Sequence, residues 1–497
     1  MIGASRRPEL GALIDEIAPA GWRRSPAWWA LYAAVTMAER LGRRRTAYLA
    51  SDAEPRADTL MGVPGPAAAD DAAGRIGWAI AAAHALVRAV IARDGTLPEQ
   101  PLTVTIALER GAARTVPVAS PWRVGFAVAD RVVLAHLDPR GPAFEDALAR
   151  RLAAAVRHVG PAGPALDDRA AFADAPGPLA VIALGDDDLA RAHHGHRRGW
   201  RTTGGPWLGL ARAGGLTALS TCHMVVDGWG HALLAADVAR GIDRAAVRHL
   251  AATAAASLGD APRPPLAPLP FGAGEPLGVA WRRVASPLPG FAGQAWALGR
   301  VLHADHGDPG APRSPTFQVP VAPGAPDDPT RFARRVRPAV LSVRFSDGVP
   351  EPLGDFAARA RAAIAREAGG DGLIARLLAA LAALPLPLGF KRRSVVGARA
   401  AWLREPVEVL AGAGCLSLLR PPEPPPLVAV SSPAQLLPAG DARATSVLTV
   451  IGDHDGATVT LAGSGRATDP AAAEALLDGW LSLVASIPLI TSARAAR

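Results

Sequence analysis

Hydrophobic residues recur along this chain at two spacings, one typical of helices and the other typical of strands. Ile76, Ile80, Val87 and Ile91 follow helical spacing and predict a long helix over residues 72–93, closed by Asp94-Gly95. Shorter apolar runs predict strands over residues 102–108, 124–128, 132–137 and 179–184, and a further helix is predicted over 144–159.

The rest of the chain also combines predicted helices with predicted strands. Near the start, Ser25-Pro26 opens a predicted helix, whereas residues 51–71 have the composition of a loop. Asp469-Pro470 starts a last helix that reaches about residue 487. In the second half, helices are predicted over 291–303, 353–367 and 372–384, and strands over 336–345, 407–410, 446–451 and 457–462.

The sharpest break in the pattern lies at residues 259–278. Six prolines in this segment forbid a continuous helix or a central strand. We therefore predict an N-terminal lobe over residues 1–258, a crossover linker over 259–278 and a C-terminal lobe over 279–497.

Composition excludes several classes of protein. A chain of 497 residues, 49% hydrophobic and 20% charged, can bury more than one core. The net charge of +8 comes almost entirely from arginine, because Lys391 is the single lysine. Since these arginines are spread out and seldom interleaved with aromatic residues, we predict no nucleic-acid partner. An anionic ligand such as a CoA phosphate remains compatible with the charge.

Location is predicted from cysteine usage and hydropathy. Cys222 and Cys415 are the two cysteines, which fits a reducing compartment better than a disulfide framework. The N-terminus has no apolar signal core, and the longest apolar runs are too short or proline-broken to span a bilayer. We predict a cytoplasmic protein without a transmembrane segment, and leave peripheral membrane contact open.

One stretch, residues 220–230, carries candidate chemistry. The apolar run 216–221 follows Gly214-Gly215, so it is predicted to be the second strand of a hairpin begun at 207–210. A helix is predicted over 230–242. His223 and Asp227 therefore fall where a strand passes into a helix, and Gly228 lets the backbone turn there.

The spacing H-x-x-x-D-G, with His223, Asp227 and Gly228, resembles the motif of the chloramphenicol-acetyltransferase-like superfamily of CoA-dependent acyltransferases. That group includes condensation domains of peptide synthetases, wax-ester and diacylglycerol acyltransferases, and the acyltransferase cores of 2-oxoacid dehydrogenases. The resemblance implies an α/β (α+β) fold of two lobes, each a mixed sheet covered by helices. We predict that His223 lies in a channel between the lobes, because donor and acceptor must approach one imidazole from different sides while bulk water is limited.

Family roles map onto these residues one by one. The histidine before x-x-x-D-G is the family's general base, which corresponds to His223, and the aspartate makes a structural ion pair, which corresponds to Asp227. Arg344 is our candidate for the arginine of that pair, and Ser417 for a donor to an oxyanion. Many members have a second histidine where this chain has Cys222.

Each assignment has an alternative. His223 could merely fill the end of a strand, and Asp227 could orient it as in a hydrolase triad instead of holding the loop. Cys222 could be a nucleophile, but alternation along a strand would turn it away from His223, so we interpret it as a packing residue. Ser417 could likewise be purely structural. His231, one helical turn beyond the motif, is expected to matter little.

Other sites are not predicted. The cluster His193-His194-Gly195-His196 has no acidic or cysteine partner at a recognised spacing, so we assign no metal. The sequence also lacks a phosphate-binding G-x-x-x-x-G-K-[ST] loop, a dinucleotide fingerprint and a G-x-S-x-G elbow.

The leading hypothesis is an acyltransferase that moves an acyl group from a thioester to a hydroxyl or amine of a small-molecule or lipid acceptor. The donor would be acyl-CoA or an acyl carrier protein. CoA or phosphopantetheine would thus be a co-substrate, and no cofactor is expected to be bound permanently. The alternatives are a condensation-type amide synthase and a catalytically degenerate homologue that acts as a binding or scaffold protein.

Overall fold

A computed structural model gives the structure of the chain, and its described residues fall in many short ranges. These ranges are 9–15, 22–24, 32–33, 35–37, 58–66, 70–94, 102–107, 113–128, 131–138, 140–141, 143–158, 178–187, 208–222, 228–259, 278–285, 288–305, 316–321, 337–373, 414–419, 427–431, 445–453, 456–464 and 469–488, with single positions at 26, 29 and 376.

Helices and strands within these ranges are labelled here in chain order. The helices are α1 (Leu10–Asp15), α2 (Ala72–Asp94), α3 (Asp146–Arg157), α4 (Gly228–Gly241), α5 (Arg244–Leu258), α6 (Phe291–Asp305), α7 (Leu353–Gly369) and α8 (Pro470–Ala485). The strands are β1 (Asp58–Pro64), β2 (Leu102–Ala107), β3 (Ala113–Val128), β4 (Arg131–His136), β5 (Pro178–Asp187), β6 (Leu208–Ala213), β7 (Leu216–Cys222), β8 (Gly278–Val284), β9 (Thr316–Val321), β10 (Arg337–Ser342), β11 (Phe345–Ser346), β12 (Val349–Pro350), β13 (Gly414–Leu419), β14 (Val428–Ser431), β15 (Thr445–Asp453) and β16 (Gly456–Ser464).

The first sheet is mixed and has eight strands. Its order is β14-β1-β7-β6-β5-β3-β2, and β4 pairs with the second half of the long strand β3. Strand β5 is parallel to both β3 and β6, whereas β7 is antiparallel to both β6 and β1. Helices α2 to α5 contribute to one core with this sheet, which includes Trp78, Phe126, Leu219 and Leu250.

The second sheet has six strands, in the order β10-β9-β13-β15-β16-β8. Helices α6, α7 and α8 share its core, in which Phe317, Phe356 and Trp480 are fully buried. The predicted α/β fold with mixed sheets and covering helices is confirmed. The two-lobed division at residues 259–278 stays a prediction, and residues 260–277 lie outside the described part of the chain.

Strand β14 is an exception to the rule that each half of the chain forms its own sheet. It belongs to the second half of the chain, but it pairs antiparallel with β1, with Leu60 opposite Val430. On the face of the first sheet away from helix α2, Leu60 and Val430 also lie in one small cluster with Ala462 of β16. Residues of both sheets therefore meet around β14.

Strand β1 corrects the prediction of a loop over residues 51–71. The segment contains Gly62 and Pro64, which is why its composition is typical of loops. Nevertheless Asp58–Pro64 pairs with β7 along its whole length and with β14 on its other edge. Partners on both sides supply the backbone hydrogen bonds that outweigh the unfavourable composition.

Helix α2 is the most deeply buried helix of the first core. Residues 72–92 are long and apolar enough to cross a membrane by length and composition alone, but 83% of that apolar window is buried inside the protein. The fully buried residues Ile76, Trp78 and Leu86 lie on different sides of the helix. A helix that is apolar all round is typical of a core, and here it packs against the sheet and against α3, α4 and α5.

Gly77 allows α2 to approach α5 closely. A Cβ atom at this position would overlap the carbonyl oxygen of Val247 and lie 2.9 Å from the backbone nitrogen of Ala251. Both contacts are with backbone atoms, which cannot rotate away. We therefore expect Gly77→Ala to lower the free energy of unfolding by about 1–3 kcal/mol, measured by urea denaturation.

Gly479 in helix α8 is the matched control, because nothing lies within 4 Å of a Cβ added there. Gly479→Ala should raise stability by about 0.4–1 kcal/mol, since alanine reduces the freedom of the unfolded chain. Equal effects of the two substitutions would contradict the close approach at Gly77.

His84 on α2 makes stability depend on pH. Its ring is 1% exposed, neither ring nitrogen has a hydrogen-bond partner among the residues that the structure describes, and Nε2 lies 3.5 Å from Oε1 of Glu145. Burial lowers the pKa of His84 to about 4, with Arg88 acting in the same direction and Asp138 against it. The unfolded chain, with a histidine pKa near 6.5, therefore binds a proton between pH 6.5 and 4 that the folded protein does not.

We expect the free energy of unfolding to fall as the pH is lowered from about 6.5 to 4, by about 3 kcal/mol in total from this residue. The measurement is urea denaturation at several pH values for the wild type and for His84→Leu, which removes the titrating group. Parallel curves for the two proteins would refute the assignment to His84.

Candidate functional site

The β6–β7 hairpin leads the chain into the motif. Gly214 and Gly215 form its two-residue turn with φ angles of 57° and 78°. Positive φ at both positions matches the right-handed twist of the flanking strands, and glycine adopts it without steric cost. The predicted hairpin is confirmed, and its second strand continues to Cys222.

Strand β7 lies inside the sheet, between β1 and β6. Thr221 is opposite Leu208 on one side and Thr59 on the other, and Cys222 is opposite Asp58. The side chains of Ser220 and Thr221 are almost completely buried. Neighbours on both sides therefore hold the end of β7 in place.

Helix α4 begins at Gly228, six positions after the last residue of β7. The predicted passage from strand to helix is thus confirmed. His223 and Asp227 belong to residues 223–227, which lie outside the described residues, so their roles stay predictions. The described ends of this segment are Cys222 and Gly228, and Gly228 is partly buried in the first turn of α4.

His231 connects the end of strand β7 to the start of helix α4. It is in the first turn of α4, and its imidazole is completely buried. Nε2 lies 2.8 Å from the carbonyl oxygen of Leu219, and Nδ1 lies 3.1 Å from Oγ1 of Thr221. The expectation that His231 matters little did not foresee these contacts, because hydropathy spacing cannot show a polar contact between a helix and a strand.

The geometry places one hydrogen on the His231 ring. A carbonyl oxygen can only accept, so Nε2 carries a hydrogen and donates it to Leu219. Nδ1 makes its hydrogen bond with the Thr221 hydroxyl, which can either donate or accept. The ring thus bridges two residues of β7 that lie two positions apart.

The second half of the chain contributes two predicted site residues. Arg344 follows β10, has an exposed side chain, and donates its backbone N–H to Oε1 of Glu351 at 2.9 Å. Ser417 lies on β13, opposite Thr449 of the parallel strand β15. Because Asp227 lies outside the described residues, its pairing with Arg344 stays a prediction, as does the oxyanion role of Ser417.

Metal chemistry finds no support in the described ranges. They contain no group of three or more His, Cys, Asp or Glu side chains that could hold a metal ion. The cluster His193-His194-Gly195-His196 lies outside them.

An ionic cluster also lies on α3 and α5. Asp146 accepts from His249 at 2.8 Å and from Thr253 at 3.0 Å. The hydrogen bonds from Thr253 and then His249 hold the pKa of Asp146 below its usual value. These residues lie at the outer side of the helices, where exposed ion pairs contribute little to stability.

Comparison with known proteins adds resemblances in overall fold. No protein-family model and no curated protein sequence matches the chain. Among solved structures, the first condensation domain of the CDA synthetase is similar over 92% of this chain and 94% of its own, at 16% identity and a TM-score of 0.37. The starter condensation domain of rhizomide synthetase is similar over 92% and 98%, at 13% identity and a TM-score of 0.36.

A third similar structure is polyketide synthase associated protein 5 from Mycobacterium tuberculosis. The similarity covers 89% of this chain and 97% of that protein, at 13% identity and a TM-score of 0.36. Variants of the rhizomide synthetase domain have been solved with C8-CoA bound. These likenesses concern overall fold and identify no functional residue of this chain.

Proposed function

We propose that the chain is an acyltransferase that transfers an acyl group from a thioester, either acyl-CoA or an acylated carrier protein, to a hydroxyl or amine. The observation that carries the proposal is the position of the H-x-x-x-D-G segment. It connects β7, which is held between two strands, to the buried helix α4. A catalytic base needs such a rigid frame, because small errors in its position are costly.

The proposed reaction uses His223 as general base. Its neutral imidazole takes the proton of the acceptor O–H or N–H while the acceptor oxygen or nitrogen attacks the thioester carbonyl. The tetrahedral intermediate then expels the thiolate, the C–S bond breaks, and the imidazolium returns the proton to sulfur. An imidazole with a pKa near 6.5 suits both transfers near neutral pH.

Other residues support the base in this proposal. Asp227 directly precedes the first residue of α4, a position at which an aspartate favours a helix N-terminus. We assign it a structural ion pair, with Arg344 as the candidate partner. Ser417 is the candidate donor to the oxyanion, which would gain stability from a preorganised hydroxyl.

The acceptor separates the enzymatic alternatives. Transfer to amines alone would favour a condensation-type amide synthase, whereas transfer to hydroxyls would favour an ester-forming enzyme. A scaffold protein would bind a thioester without consuming it.

We propose a cytoplasmic location on the basis of cysteine usage.

The first experiment incubates the purified protein with acetyl-CoA, octanoyl-CoA and an acylated carrier protein, each with pooled amine and alcohol acceptors. Mass spectrometry follows loss of the thioester and gain of the acyl product. Octanoyl-CoA is included because an eight-carbon donor is bound in one of the similar structures.

His223→Ala should lower the transfer rate about a hundredfold to ten-thousandfold, the usual contribution of a positioned acid-base group. Donor affinity and thermal stability should change little. The rate is measured under single-turnover conditions with the donor that the first experiment identifies.

His249→Ala is the control for this substitution, because His249 is exposed on α5 and contacts Asp146 at the surface. It should retain the wild-type rate. Equal rates for folded His223→Ala and wild type would reject the mechanism and favour the scaffold alternative.

Asp227→Asn should reduce thermal stability more than it alters the pH dependence of the rate, because the proposal gives Asp227 an ion pair and no proton transfer. Because the Arg344 side chain is exposed, loss of the ion pair should cost about 0.2–1 kcal/mol. Both quantities are measured on one preparation. A fully stable variant with a shifted rate-pH midpoint would show that Asp227 orients His223 instead.

A further inference from the structure

His231 contributes an interaction that the proposed chemistry does not itself require. Its side chain is completely buried in the first core, and both of its ring nitrogens contact β7. Burial of a polar ring is costly unless its nitrogens are hydrogen-bonded. A leucine would fill a similar space in the apolar helix α4 without that requirement, so packing alone does not explain a histidine here.

The two contacts connect defined points on either side of the motif. Leu219 and Thr221 are near the end of β7, and Thr221 is one residue before Cys222. His231 is three residues after Gly228, in the first turn of α4. The side chain of His231 therefore connects the end of β7 directly to the first turn of α4.

The elements on both sides are themselves fixed. Strand β7 is paired with β1 and β6, and α4 contributes Leu234 and Val238, both completely buried, to the core. Apolar packing resists separation of the helix from the sheet, but it is not directional. The hydrogen bonds to Leu219 and Thr221 are directional, and so they resist sliding and rotation of α4 along β7.

We propose that His231 is a positioning residue that fixes the first turn of α4 to the end of β7, the two elements that residues 223–227 connect. Its catalytic consequence rests on the proposed function, in which His223 is the base. His231 acts through the helix and strand and touches no substrate in this proposal. A shift of about 1 Å in a catalytic group can cost a hundredfold in rate, so loss of this contact should affect turnover more than binding.

Three substitutions test the proposal. His231→Leu removes both hydrogen bonds and keeps an apolar side chain of similar size, and Thr221→Val removes one hydroxyl with little change of shape. His231→Gln keeps an amide that can both donate and accept, and so it should restore part of the wild-type behaviour.

Leu250→Ala is the matched control for simple loss of stability. Leu250 is completely buried on α5 in the same core, and its truncation should cost about 2–5 kcal/mol. Because α5 does not carry the contacts to Leu219 and Thr221, Leu250→Ala should destabilise the protein without altering residues 223–227.

The first readout needs no substrate. Diethyl pyrocarbonate modifies accessible neutral histidines, and peptide mass spectrometry gives the rate at His223 itself across a range of pH. We expect at least about a threefold change in that rate for His231→Leu and a smaller one for Thr221→Val, since a misplaced segment alters the surroundings of the ring. Leu250→Ala and His231→Gln should stay close to wild type.

The second readout is steady-state kinetics with the donor and acceptor identified above. His231→Leu should lower kcat about tenfold or more with little change in KM, and His231→Gln should recover part of it. Thr221→Val provides the same test if His231→Leu fails to fold.

Two results would overturn the proposal. One is unchanged reactivity of His223 in both His231→Leu and Thr221→Val, and the other is an equal change in Leu250→Ala. Failure of the proposed function is seen separately, as a wild-type protein that transfers no acyl group while the reactivity of His223 still responds to His231.

Discussion

The burial of helix α2 between the first sheet and helix α5 is the constraint on which the N-terminal half of the structure depends. Gly77 lets the two helices approach until their backbones are in contact, and α3 and α4 then pack against the same helix. Helix α4 is placed on the sheet by this packing. The helix that follows the motif therefore takes its position from this hydrophobic core.

Apolar packing and polar contacts contribute differently to the site. Packing brings α4 against β7, but many small shifts of a helix bury nearly the same area. His231 selects one of these arrangements, because its ring must reach a carbonyl oxygen and a hydroxyl two residues apart on the same strand. The two elements that residues 223–227 connect are thereby held in one defined arrangement.

Much of the fold could be predicted from hydrophobic spacing. Helix α2, the β6–β7 hairpin and helix α8 all have strong local signals, which are periodicity, paired glycines and an Asp-Pro start respectively. Strand β1 could not be predicted, because Gly62 and Pro64 disguise a segment whose strand conformation depends on distant partners. Helix α5 was missed as well, although Asp243 caps its start and accepts a hydrogen bond from Ala245 at 2.8 Å.

The candidate site was partly predictable for the same reasons. The motif and its place between a strand and a helix follow from local sequence, and the described ends at Cys222 and Gly228 agree with that place. The role of His231 could not be predicted, since it depends on the register of a helix against a strand. A histidine among the small and apolar residues of α4 was the available signal, and it becomes informative only once its partners are known.

Strand β14 ties the folding of the first sheet to late events in synthesis. Val428–Ser431 forms one edge of that sheet by pairing with β1, although the two strands lie near opposite ends of the chain. Closing so large a loop is entropically slow, and until it closes β1 presents an unpaired edge that other chains can pair with. A nascent chain that has released the motif but not β14 thus has a first sheet with an unpaired edge, and its exposure to aggregation lasts until Val428–Ser431 is synthesised.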